Sequence, residues 1–276
     1  MEIRHAVHPD HAASMTAREL REHFLIKDIF VPENPRMVYS HIDRLIVGGV
    51  CPTAPVPLAA APDIIGADFF LERREMGIIN IGGKGTVSID GTVFAMDSRD
   101  GLYIGKGARD IVFKSESADS PAKFYFNSAP AHTVMENQKI SFDQILPDNL
   151  GDQENCNKRS IRKYFHPDGI QTCQLVMGMT TLAPGNVWNT MPPHTHGRRM
   201  EAYFYFDMAD DQLVFHLMGP ASDTRHIVVR NEQAVLSPSW SIHSGAGTRS
   251  YVFIWGMAGE NQTFSDMDHI PMSELR

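Results

Sequence analysis

Short β-rich runs dominate the chain. One helix is signalled near the start, where Thr16-Ala17-Arg18-Glu19 has capping-box spacing and leucine, phenylalanine and isoleucine follow as far as Ile26. From Met37 onward, apolar and β-branched residues fall in short runs at 44–47, 77–81, 86–89, 111–114 and 123–127, punctuated by Gly82-Gly83, Asp90-Gly91 and Gly105-Lys106-Gly107. The segment 133–160 is polar and poorly patterned; strand-like runs resume at 172–177, 202–208, 212–217, 226–230, 234–237 and 251–255. This pattern predicts an all-β protein with a few short helices, an antiparallel sandwich or barrel in each of two halves, 1–150 and 151–276.

Composition narrows the functional classes. At 276 residues and 42% hydrophobic content the chain can bury a sizeable core. A net charge of −8, with no lysine or arginine run, argues against nucleic acid as a partner. No apolar stretch approaches the roughly 20 residues that span a bilayer, so no membrane partner is expected and a cytoplasmic location is. The three cysteines, Cys51, Cys156 and Cys173, are widely spaced and odd in number, which fits reduced thiols.

The chemistry concentrates in His194-Thr195-His196-Gly197-Arg198-Arg199-Met200-Glu201 and, further on, Pro238-Ser239-Trp240-Ser241-Ile242-His243. His194 and His196 leave the same face of a strand and can converge on one ion. Glu201 is at an odd offset from His196, so a turn near Gly197 must bring it back toward the histidines; His243 supplies a fourth ligand. Imidazole and carboxylate without thiolate suit zinc, iron, manganese or nickel about equally. The two halves also align through their arginine pairs, Arg73-Arg74 against Arg198-Arg199. That register sets Phe69, Leu71 and Met76 where His194, His196 and Glu201 stand, and a second local match sets Gly105 against His243. The first half is therefore expected to keep the scaffold without the ligands.

The two ligand segments resemble the signature segments of the cupin superfamily, and a wider set of residues resembles the 5-keto-4-deoxyuronate isomerase family. That set includes Tyr39-Ser40-His41-Ile42-Asp43-Arg44, Phe70-Leu71-Glu72-Arg73-Arg74-Glu75, Trp188-Asn189-Thr190-Met191-Pro192 and Phe253-Ile254-Trp255-Gly256-Met257. The resemblance implies a bicupin in which one zinc per subunit is held by His194, His196, Glu201 and His243. It also implies a homohexamer that isomerises 5-dehydro-4-deoxy-D-glucuronate to 3-deoxy-D-glycero-2,5-hexodiulosonate, in the breakdown of pectin.

A bound cation polarises the C1 carbonyl of such a hydroxy-aldehyde; either it stabilises an enediolate while a base carries the proton from C2 to C1, or a metal-assisted hydride shift moves the hydrogen directly. Tyr203, Tyr205 and His226 are candidates for that base. The uronate carboxylate calls for a guanidinium or ammonium partner, with Arg198 and Arg199 nearest in sequence and Arg162 and Lys163 as others. The same ligands would also serve an iron-dependent cupin oxygenase or a non-catalytic sugar-binding cupin.

Overall fold

The computed structural model describes residues 1–276 and divides into two compact units. The first comprises Met1–Arg4, Asp28–Leu146 and Tyr164–Val176, the second His5–Lys27, Pro147–Lys163 and Met177–Arg276. Compared with a single division at residue 150, three segments change sides: His5–Lys27 and the short piece 147–150 go to the second unit, Tyr164–Val176 to the first. His5–Lys27 joins the second unit because Leu25–Ile26 pairs with Ala234 and Val235. Tyr164–Val176 joins the first because Glu75, fully buried there, accepts backbone N–H bonds from Cys173 (2.6 Å), Gln174 and Leu175 (both 2.8 Å), plus the Tyr103 hydroxyl (2.7 Å). Those N–H groups are thereby satisfied without a neighbouring strand, so the run at 172–177 is not a strand at its start; the strand there is Val176–Leu182.

In the first unit a large sheet runs Glu2–Arg4, Asn34–Ser40, Ile46–Val50, Phe124–Pro130, Arg74–Asn80, Gly101–Ile104, Gln138–Ile140, and a four-stranded sheet runs Val56–Pro57, Ile111–Ser115, Gly85–Ile89, Thr92–Met96. One core cluster draws on both sheets. It includes Leu71, Met76, Ile78, Ile104 and Phe126 together with Val87, Ile111 and Phe113, so the interior is filled by hydrocarbon. Full burial of side chains of this size stabilises by roughly 1.5–3 kcal/mol each.

Ladder register corrects one detail of the internal repeat. Met76 faces Ile104 as Glu201 faces Ser237. Counting on from those partners to the next strand puts Asp110, not Gly105, in the place of His243. The short match around Gly105 misled because both loops carry an isoleucine before a glycine-rich stretch.

The second unit repeats the plan. Its long sheet runs Asp148–Leu150, Arg159–Phe165, Val176–Leu182, Val252–Gly259, Arg199–Phe206, Gln233–Ser237, Leu25–Ile26. Its short sheet runs Trp188–Asn189, Ser244–Gly247, Val214–Met218, Arg225–Val229, and a small ribbon pairs His194–Thr195 with Asp268–His269. The capping box at Thr16 forms, with Glu19 bonding back to the cap, and opens the helix Ala17–Phe24. Two main sheets per unit and three short α-helices make the all-β architecture that the pattern predicts, in keeping with the bicupin of two antiparallel, jelly-roll-like β-barrel halves that the resemblance implies. No helix is long and apolar enough to cross a membrane.

Candidate metal centre

Three short pieces of chain bring the four candidate ligands together. The strand His194–Thr195 ends at a turn closed by the Arg199 N–H on the His196 carbonyl at 3.0 Å, after which Arg199–Phe206 begins and turns Glu201 inward. His243 precedes the strand Ser244–Gly247. His194, His196, Glu201 and His243 are all buried, and their ligand atoms lie within 4.8 Å of one another. The His194 and His196 Nε2 atoms are 3.0 Å apart, and those of His194 and His243 2.9 Å. Glu201 Oε2 lies 3.2 Å from His196 Nε2 and 3.1 Å from His243 Nε2.

This donor set fits a divalent cation. Four tetrahedral ligands at about 2.0–2.2 Å from an ion stand roughly 3.4 Å apart, close to the spacings found. Burial holds the His194 imidazole down to about 3 and lowers His243 well below its ordinary value, so both present neutral nitrogens. Glu201 Oε2 has no hydrogen-bond donor of its own. Behind the ligands, His196 Nδ1 lies 2.9 Å from the Asp266 carbonyl and 3.1 Å from Arg199 Nη2, contacts that fix the ring with Nε2 facing the cluster. His243 Nδ1 is likewise 3.2 Å from Ser237 Oγ.

The cluster lies in the wall of a cavity of about 310 Å³, at the small end of the range for small-molecule sites. Apolar walls come from Ile161, Phe253, Trp255, Met257, Phe264 and Met267; polar groups come from Arg159, Asn189, Thr190, Tyr203 and His269. Gly178 makes room for the Trp255 ring, since a Cβ there would stand 2.1 Å from it. Thr190 holds a φ of 57°, a costly conformation for a β-branched residue, and its hydroxyl bonds that of Tyr203.

The other sequence-derived candidates separate. Tyr203 is in the cavity, 5.2 Å from His243 ring to ring, with its phenol bonded to Glu201 as well as Thr190. Burial raises its pKa well above the usual value, so it keeps its proton and donates. Tyr205 is buried beside His216, with 2.7 Å between the hydroxyl and Nδ1. His226 is exposed on the outer face of its strand against Phe215, outside the cavity, because alternation along Arg225–Val229 turns Ile227 inward and His226 out.

Arg198 and Arg199 also serve the scaffold. Arg198 pairs with Asp266 and Asp268, while buried Arg199 donates to the carbonyls of Thr263 and Asp266, both at 2.8 Å. These arginines tie down the segment that carries Phe264, Met267 and His269. Lys163 pairs with Asp148 at 3.0 Å, and Arg162 does not line the cavity. Sequence reasoning missed Arg159, Asn189 and His269. Asn189 lay within a quoted motif, but no spacing singled out the other two.

A family model described as KduI/IolB matches residues 24–272. The chain belongs to the KduI/IolB family. Curated relatives from Escherichia coli strains SE11 and K12 / DH10B, both named 4-deoxy-L-threo-5-hexosulose-uronate ketol-isomerase, are 54% identical over 279 residues, covering 100% of this chain and 100% of each relative. Among solved structures, an IolB-like protein from Salmonella typhimurium LT2 matches with a TM-score of 0.65 at 14% identity, over 79% of this chain and 84% of that one. The oxalate decarboxylase of Lactobacillus farciminis matches at 0.58 and 10% identity, over 87% and 84%. At such identities these structures support the fold alone.

Proposed function

We propose that the chain is a zinc-dependent ketol-isomerase that converts 5-dehydro-4-deoxy-D-glucuronate to 3-deoxy-D-glycero-2,5-hexodiulosonate. One observation carries this reading: a buried three-histidine, one-glutamate cluster opens onto a small cavity in a chain that matches ketol-isomerases end to end. His194, His196, Glu201 and His243 would hold the ion, and a bound zinc supplies Lewis acidity toward a carbonyl oxygen and the C–H beside it. The protein's own groups do the rest. The Tyr203 phenol donates a hydrogen bond from a fixed position. The apolar walls exclude water from the carbon chain, and His269 brings to the cavity an imidazole whose ring nitrogens can accept and return a proton, which assigns it the C2-to-C1 transfer.

The test is ¹H NMR of the zinc-loaded protein with the deoxy-keto-uronate in D₂O. Product should form and carry deuterium on the carbon that was the substrate's aldehyde C1, now the terminal CH2OH; no product with zinc bound at one ion per chain would sink the reading. His269→Gln should lower kcat by about 100-fold, the usual scale of general acid–base catalysis, with zinc content unchanged. A kcat within threefold of wild type would remove His269 from the mechanism. We further propose a cytoplasmic homohexamer; light scattering should then give six times the 30.9 kDa chain mass.

A further inference from the structure

We infer that Arg159, with Asn189, forms the subsite that holds the substrate's carboxylate and so selects uronates over neutral sugars. The inference rests on the isomerase reading above. Arg159 is half-buried in the cavity wall, and its one side-chain hydrogen bond runs from Nη1 to the Asn157 carbonyl at 2.9 Å. No carboxylate pairs with it; the ionisable groups that bear on it are the phenols of Tyr203 and Tyr251. It is the only arginine or lysine in the cavity lining. Elsewhere the arginines near this site are committed to acids or carbonyls, as Arg198 and Arg199 are.

Asn189 is an independent observation. Its side chain is 2% exposed and lines the same cavity, yet its Nδ2 has no hydrogen-bond partner. A buried amide donor without an acceptor is costly, and an arriving acceptor removes that cost. A guanidinium and an amide are together a donor set that a carboxylate matches, and the guanidinium can engage it with two parallel bonds. With the aldehyde end at the four-residue cluster and the carboxylate at Arg159, the carbon chain shares a cavity whose lining includes Trp255, Met257 and Phe264. Those apolar walls suit the methylene of a 4-deoxy sugar.

Steady-state kinetics on zinc-loaded variants tests the assignment. Arg159→Gln should raise KM for the deoxy-keto-uronate about 100-fold while kcat changes less than about fivefold, and Arg159→Lys should recover part of the loss as a point charge. Millimolar guanidinium should partly rescue Arg159→Ala. Asn189→Asp, which sets a like charge against the substrate, should raise KM more than Asn189→Ala does. Binding of D-glucuronate, measured by calorimetry, gives a readout that does not need turnover, and Arg159→Gln should weaken it to the same degree. A KM and a glucuronate affinity within twofold of wild type in folded Arg159→Gln would overturn the subsite even if the wild type isomerises. A wild type that binds glucuronate through Arg159 without isomerising would overturn the isomerase reading alone.

Discussion

His196→Ala should purify with its strand-rich circular dichroism intact, hold no stoichiometric zinc and lose turnover of the deoxy-keto-uronate to below a thousandth of wild type. Three features make His196 the decisive ligand to remove. Its Nε2 is close to both His194 and Glu201, its Nδ1 is fixed by the Asp266 carbonyl, and it sits on the turn that brings Glu201 inward. Deleting it leaves a gap on the side from which the remaining ligands would need a fourth donor, and water supplies that donor without the orientation set by the protein. The fold should survive because the counterpart position in the first unit is Leu71, fully buried in a barrel closed by hydrocarbon packing. Metal analysis and the NMR assay on one preparation check the expectation. Full zinc occupancy, or turnover above a tenth of wild type, would remove the cluster from the mechanism.

The convergence of His194, His196, Glu201 and His243 was legible in sequence because each bears a side chain whose chemistry is unusual in a barrel interior, at spacings that a strand and a turn bring together. The cavity around them was not. Its walls come from Arg159 on one strand, the turn at Asn189 and Thr190, the strand Val252–Gly259 and the tail that carries His269, and no local pattern links these pieces. Arg159 lay in a stretch that reads as linker, because Arg159–Phe165 is mostly half-buried and alternates weakly. His269 reads as a stray histidine until the ribbon to His194–Thr195 brings it beside His194, with 5.8 Å between ring centres. The arginine pairs were legible as a repeat, and the second unit shows why a barrel keeps one. Buried Arg199 satisfies carbonyls of an irregular segment, a scaffold duty that does not depend on a metal.

The largest stability effect expected is acid lability, and His216 contributes a share of it beside those of His194 and His243. His216 is fully buried, its Nδ1 faces the Tyr205 hydroxyl and its Nε2 has no partner. With no acid to offset the loss of water, burial lowers its pKa from 6.5 to about 3. The unfolded chain therefore takes up a proton at this site below pH 6.5, whereas the folded chain does not until pH 3. Stability from this group is complete above pH 6.5 and falls through that window at about 1.4 kcal/mol per pH unit, reaching a loss on the order of 4–5 kcal/mol at its lower end. Urea unfolding of chelator-treated protein from pH 7 to 4 checks this against His216→Gln, whose amide can still accept from Tyr205 but cannot titrate. The variant should be less stable at pH 7 yet lose stability less steeply, by about 1.4 kcal/mol per unit. Parallel slopes would show that His216 is protonated in the folded protein, and the acid sensitivity would then belong to other groups.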